Sequence, residues 1–200
     1  MSHPRDVLIS YLVARQALMG VIELVHPYTW REAELAEAHT FGEVVANEAA
    51  SGKAYLNLNT DARPGREGYS VQMKFSVPED DVYSLWLSCS PQGAQASQFS
   101  WIVDTEEPHS SSDAQPRGAP YLADEFAWLE LGNIKLKRGP HTFTLRITDR
   151  AAGSNRYVMA LDAFLAARTP FAPNGTTKPF IAIIKEKPGR KPDLFGKPLE

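Results

Sequence analysis

The stretch GYSVQMKFSVPEDDVYSLWLSCS, residues 68–90, decides the fold. Tyr69, Val71, Met73, Phe75 and Val77 alternate with Ser70, Gln72, Lys74 and Ser76. This period of two gives a strand one apolar face and one wet face. Pro78-Glu79-Asp80-Asp81 is a turn signal, and residues 82–89 follow as a second strand, so the two are expected to form a hairpin. The same grammar recurs downstream. Phe99, Trp101 and Val103 alternate, and so do His141, Phe143, Leu145 and Ile147 after Gly139-Pro140, with Thr142, Thr144, Arg146 and Thr148 opposite. Residues 157–166 read as the last core strand, and the alternation predicts Trp86, Trp101 and Trp128 as core residues. Short strands separated by Gly, Pro, Asn, Asp and Ser predict an all-β, antiparallel β-sandwich of the jelly-roll kind.

Outside that body the pattern changes. Residues 6–24 carry Leu8, Leu12, Leu18, Val21 and Ile22 with few breakers, which predicts a short amphipathic N-terminal helix. Residues 104–126 form a polar, Pro/Ser-rich stretch too long for an ordinary hairpin connection, the length at which loops are functional or disordered. Beyond Arg168 an exit turn leads to a short strand over residues 180–184 and a Lys/Pro-rich tail. The expected organisation is an N-terminal extension over 1–27, a sandwich over 28–184 and a linker over 185–200.

Composition excludes several functions. Lys plus Arg total 21 against 24 Asp plus Glu, a formal charge of −3, which argues against a nucleic-acid partner. No apolar stretch is long enough to span a bilayer, and the first residues lack a secretion-signal pattern. The single cysteine, Cys89, excludes an internal disulfide and a Cys-rich zinc site. There is no Gly-x-Ser-x-Gly elbow, phosphate-cradling Gly loop or His-Glu-x-x-His pair.

Glu32 and Glu34 sit two apart in WREAEL, residues 30–35, and on a strand they share a face. Asp162 lies among apolar residues in the last strand, where an ionised carboxylate needs a partner or a metal. In a jelly roll the first and last strands can be neighbours. Three hard oxygen donors then suit Ca²⁺ better than zinc. The competing reading is that the glutamates face solvent and Asp162 pairs with Arg31.

The order WREAE, SGKAYLNL, GYSVQMKFSVP, VYSLWLSCS, FSWIVD, FAWLELGNIKLKRGPHTFTLRI and MALDAFLAA, spanning residues 28–169, resembles the calcium-containing, galactose-binding-like carbohydrate-binding modules of families six and thirty-five. The resemblance implies a structural calcium held by Glu32, Glu34 and Asp162. It also implies a sugar site at the loop edge, with Tyr121 or Phe126 for stacking, Asn155 for hydrogen bonding, and Asp124 and Arg156 beside them. His141 matches the family's Gly-x-His strand start. The chain departs from the family in lacking the usual loop tryptophan, because Trp128 takes a strand position. The implied function is non-catalytic: an extracellular or periplasmic accessory module that holds a covalently linked catalytic domain near its polysaccharide. The alternative is a structural or protein-interaction jelly roll, packed against a catalytic domain through its N-terminal helix and its FIAII strand. A hydrolase built from Glu106, Glu107, Asp113, Asp124 and Glu125 has no visible acid/base asymmetry to recommend it.

Overall fold

A computed structural model describes residues 24–25, 28–90, 96–122, 126–168, 170–179 and 183–184. The helix expected over residues 6–24 and the tail over 185–200 fall outside the described residues, apart from Leu24, which is in a strand. The chain divides into two compact units, one of residues 1–26 with 180–200 and one of residues 27–179. In the first, β1 (Leu24–Val25) pairs antiparallel with β14 (Ile183–Ile184) in a ladder of its own. Of the strand expected over 180–184, the described residues Ile183–Ile184 thus pair with β1.

The second unit is the sandwich. Its strands are β2 (Tyr28–Glu32), β3 (Ala38–His39), β4 (Glu43–Ala46), β5 (Ala54–Thr60), β6 (Tyr69–Val77), β7 (Asp81–Cys89), β8 (Ser100–Val103), β9 (His109–Ser110), β10 (Gln115–Tyr121), β11 (Phe126–Leu136), β12 (Gly139–Ile147) and β13 (Tyr157–Ala167). One sheet runs β10-β11-β7-β13-β5-β4, with β2 also on β13, and the other runs β3-β6-β12-β8-β9. All pairings are antiparallel.

The predicted strand over residues 69–77 forms as read, with Val71, Met73, Phe75 and Val77 buried. The predicted hairpin does not form. β6 pairs with β12 and β3, whereas β7 pairs with β11 and β13, so Pro78-Glu79-Asp80 is a corner that carries the chain from one sheet to the other. The reason is burial. Trp86, Leu87, Ser88 and Cys89 are all buried, so the second half of β7 is covered on both faces and needs a partner on each edge. Charges fix the corner: Arg168 reaches Glu79 and Asp81, and Asp80 accepts from Lys137 Nζ and Arg138 N.

Between the sheets lies the main core, centred on Phe164 of β13, which stacks on Phe143 of β12 at 4.4 Å and packs against Phe75 of β6 at 5.2 Å. A second apolar cluster, Trp86, Trp128, Ala163, Leu165 and Ala167, occupies the other face of the larger sheet. Tyr28, Trp30, Tyr121 and Phe171 pack against it. Trp86, Trp101 and Trp128 are all buried, as their alternation predicts.

The polar stretch over 104–126 also differs from expectation. It carries β9, a 3-10 turn over Ser111–Asp113 and the edge strand β10. Pro116 and Pro120 belong to β10, which pairs only with β11 at the edge of the sheet, where proline is tolerated.

His141 joins two loops. Its Nδ1 lies 2.7 Å from Asp104 Oδ2 and its Nε2 lies 2.7 Å from Lys137 O, so both ring nitrogens face acceptors. Burial works against the charged ring, but the Asp104 carboxylate and the Lys137 carbonyl outweigh it and raise its pKa. Stability from this contact is thus fully present below the free-histidine pKa and is lost as pH rises through the raised folded value. The urea midpoint of a His141→Asn variant should fall furthest below wild type near pH 5–6 and converge on it at higher pH. A gap independent of pH would show that the ring acts by packing alone.

Candidate functional site

Asp162 sits at a break in β13. Tyr157, Met159 and Leu161 point into the main core, but beyond the break Phe164 and Ala166 do, while Ala163, Leu165 and Ala167 join the second cluster. The alternation slips by one residue at Asp162, and the register with β7 shifts between Leu161 and Ala163. This is a β-bulge, the device that re-aims a side chain within a strand. On the opposite edge the partner changes at the same point: Leu161 pairs with Leu56 of β5, and Ala163 pairs with Glu32 of β2. The Asp162 carboxylate therefore faces the gap between the end of β2 and the start of β5.

The segments bordering that gap supply the rest. β2 stops at Glu32, and Ala33–Leu35 is a 3-10 turn. Glu32 and Glu34 are thus not alternate residues of one strand, as the sequence suggested, yet the turn keeps their carboxylates within electrostatic reach of each other and of Asp162. On the other side, Ser51-Gly52-Lys53 turns into β5 with Gly52 and Lys53 both at positive φ. A Cβ on Gly52 would overlap Glu34 Oε1, so only glycine meets both the backbone and the space requirement.

Asp162 is fully buried and well bonded. Its Oδ1 accepts from Ser51 N at 2.9 Å, and its Oδ2 accepts from the Tyr121 hydroxyl, which also contacts Ser88 Oγ. Arg31 pairs instead with Glu37. Burial still dominates, holding the Asp162 pKa at about 6 against the pull of the Tyr121 and Ser51 hydrogen bonds. Burial, with Glu32 and Asp162 adding to it, raises Glu34 to about 7. Both buried oxygens of Glu32 and Oε2 of Glu34 accept no hydrogen bond from the described residues. Lys178 Nζ lies 2.6 Å from Glu32 Oε1, an ion contact without hydrogen-bond alignment.

The donor set suits a hard cation: three carboxylates, orphaned buried oxygens and no nitrogen or sulfur ligand. Such an ion would be held by Glu32, Glu34 and Asp162 and would supply charge neutralisation that ties the end of β2 to β13. As they stand, no three acidic, imidazole or thiolate groups among the described residues are gathered in ligating positions.

The residues expected at a sugar site are not together. Tyr121 is half-buried, with its hydroxyl turned in toward Asp162. Phe126 is 1% exposed beneath Tyr55 and Tyr121, so its ring offers no open face. Asn155 and Arg156 are exposed in the turn before β13, and Arg156 is committed to Asn59 by two hydrogen bonds. Tyr157 and Asp162 are five steps apart along the strand, about 16 Å at the usual rise. Asp124 lies outside the described residues. Of the loop acids, Glu106 and Glu107 are exposed, and His109 stacks on Trp101 at 4.2 Å. Ser51, Gly52, Ser88 and Lys178 were not singled out as site residues from sequence. The Ser-Gly-Lys turn directly before a strand is the one local signal that could have flagged the first two.

No protein-family model matches the chain, and no curated protein does. Solved structures do. A family 35 carbohydrate-binding module, that of Abf62 from Cellvibrio japonicus, is 11% identical with a TM-score of 0.51 over 74% of this chain and 98% of that one. The likeness is one of fold. The family 35 module from Clostridium thermocellum is 18% identical, TM-score 0.47, over 70% of this chain and 98% of its own. The GH26-CBM35 β-(1,4)-mannanase of Podospora anserina is 15% identical, TM-score 0.49, over 74% of this chain, which spans 29% of that enzyme.

Two predictions follow from the carboxylates and the turn. With chelator present, Glu34 and Asp162 bind protons more tightly folded than unfolded, so their contribution to stability is greatest below the free-carboxylate pKa and falls as pH rises through about 6–7. Melting temperatures from pH 4.5 to 7.5 should show this fall, and Glu34→Gln should flatten it; equal slopes would refute the assignment. Gly52→Ala should cost about 1–3 kcal/mol in urea unfolding, the usual cost of backbone strain, with the overlap on Glu34 added. Gly153→Ala, at a similar positive φ but with nothing within 4 Å, should cost less.

Proposed function

We propose that this chain is a non-catalytic carbohydrate-binding module of the calcium-containing type, with one structural Ca²⁺ on Glu32, Glu34 and Asp162. The observation that carries the cation is that both oxygens of Glu32 and Oε2 of Glu34 are buried without a hydrogen-bond partner among the described residues, beside a buried aspartate. A charge cluster that one ammonium offsets only in part is stabilised by a proton or by a cation, and near neutral pH a divalent ion is the stronger partner. The sandwich fold and the sequence order of the strands support the glycan reading.

In this reading the module works outside the cell or in the periplasm, joined to a polysaccharide-active catalytic domain whose effective substrate concentration it raises. It carries no chemistry of its own. Tyr121, beside the carboxylates, and the exposed Asn155–Arg156 turn are two separate candidates for the sugar contact.

One observation favours the rival, a structural or protein-interaction domain. Every described aromatic side chain is buried or at most half-exposed, so no described ring lies fully open to the C–H face of a pyranose.

Titration calorimetry of the chain against soluble polysaccharides, with Ca²⁺ and after chelation, tests the proposal. Saturable heat with one polymer is expected, reduced at least tenfold in affinity by Asn155→Ala with Arg156→Ala or by Tyr121→Ala, whichever marks the site. A calcium-dependent melting temperature with no heat from any polymer would overturn glycan binding and leave the structural reading.

A further inference from the structure

Beyond Arg168 the chain does not leave the sandwich directly. Phe171 packs edge-on against Trp86 and Trp128 at 5.2 and 5.1 Å, and Trp128 Nε1 donates to Gly175 O at 2.9 Å. Pro173 abuts Gly118 and Gly175 abuts Tyr121, both residues of β10. Thr177 N closes a turn on Asn174 O. The segment over residues 170–179 is therefore a strap pinned across the second aromatic cluster.

The strap delivers one charge to the site. Lys178 Nζ stands 2.6 Å from Glu32 Oε1 and 5.6 Å from the centroid of the Trp30 ring, both among the last three residues of β2. Its side chain is 52% exposed, whereas Glu32 is 11% exposed, so the ammonium approaches from solvent into a carboxylate that has no hydrogen-bond partner among the described residues. The acids carry three formal negative charges, and one ammonium offsets one of them.

We propose that Lys178 is a tethered occupant of the carboxylate cluster, which a divalent cation must displace, so that cation binding and release of the end of the strap are one event. The proposal rests on the cation reading given above. Its physical basis is exclusion. An ammonium in contact with Glu32 Oε1 blocks an inner-sphere metal bond at that oxygen and repels a second positive charge. It also accounts for the absence of three acids gathered at one point among the described residues: Glu32 is turned to the ammonium. The strap's anchors at Phe171, Pro173 and Gly175 do not involve the carboxylates, so displacement frees Lys178 without uncovering the tryptophans.

The test is calorimetric titration of the full chain with CaCl₂ in wild type, Lys178→Gln and Lys178→Arg, with melting temperatures confirming that each is folded. Hydrogen exchange of the Thr177 and Lys178 amides with and without Ca²⁺ supplies a second readout. The expected result is at least about fivefold tighter Ca²⁺ binding by Lys178→Gln, no such gain in Lys178→Arg, and faster exchange at Thr177 and Lys178 when wild type binds Ca²⁺. Binding to Lys178→Gln alone would support the proposal in its strongest form. Equal or weaker Ca²⁺ affinity in Lys178→Gln would overturn displacement and leave the cation site standing. No Ca²⁺ binding to any folded variant would overturn the cation reading and displacement together.

Discussion

The burial of one carboxylate governs this sandwich. Asp162 is at the middle of the strand that borders β7 on one edge and both β5 and β2 on the other, and an ionised group there would lose several kcal/mol of hydration if nothing met it. What meets it comes from distant parts of the chain: the backbone of Ser51 and the hydroxyl of Tyr121. Those bonds hold the turn that leads into β5 and the end of β10. The bulge that exposes the carboxylate to them also reverses which residues of β13 face the main core. Polar satisfaction and apolar packing are thus set by the same residue.

The bulge has a second effect. By turning Ala163, Leu165 and Ala167 outward, it creates an apolar outer face on a sheet that would otherwise be wetted there. Trp30, Trp86 and Trp128 fill that face, and the strap over residues 170–179 closes it. The sandwich therefore has two cores. The smaller one ends at Trp30, whose ring contacts the same lysine that touches Glu32, so covering the tryptophans and neutralising the acids are joined within a single segment.

Much of this was legible in the sequence because period-two alternation reports burial on one face, and β6 and β12 are strands of that kind. Asp162 stood out for the complementary reason, a charge in an apolar run. β7 misled because a strand covered on both faces loses its alternation over residues 85–89, and a turn signal does not say whether the chain folds back in one sheet or crosses to the other. The stretch over 104–126 misled because prolines that would break a central strand are tolerated on an edge. Within the site, ligand chemistry was visible in Glu32, Glu34 and Asp162, but the roles of Tyr121 and Lys178 were not. A tyrosine in a loop reads as a ring, and only tertiary structure turns its hydroxyl toward an acid 41 residues on.

The pairing of β2 with β13 joins residues that are far apart in the order of synthesis: Glu32 meets Ala163. A ribosome adding about 5–20 residues per second needs roughly 7–26 s to cover that interval. Throughout it, β2 and the inner edge of β5 lack their partner, so the larger sheet cannot close until nearly the whole sandwich has been made. High contact order makes such pairing slow, and the nascent chain presents open strand edges for the length of the wait. Arg31 and Glu32 on β2 and Glu43 on β4 place charge on those early strands, and charged side chains on an open edge disfavour edge-to-edge association.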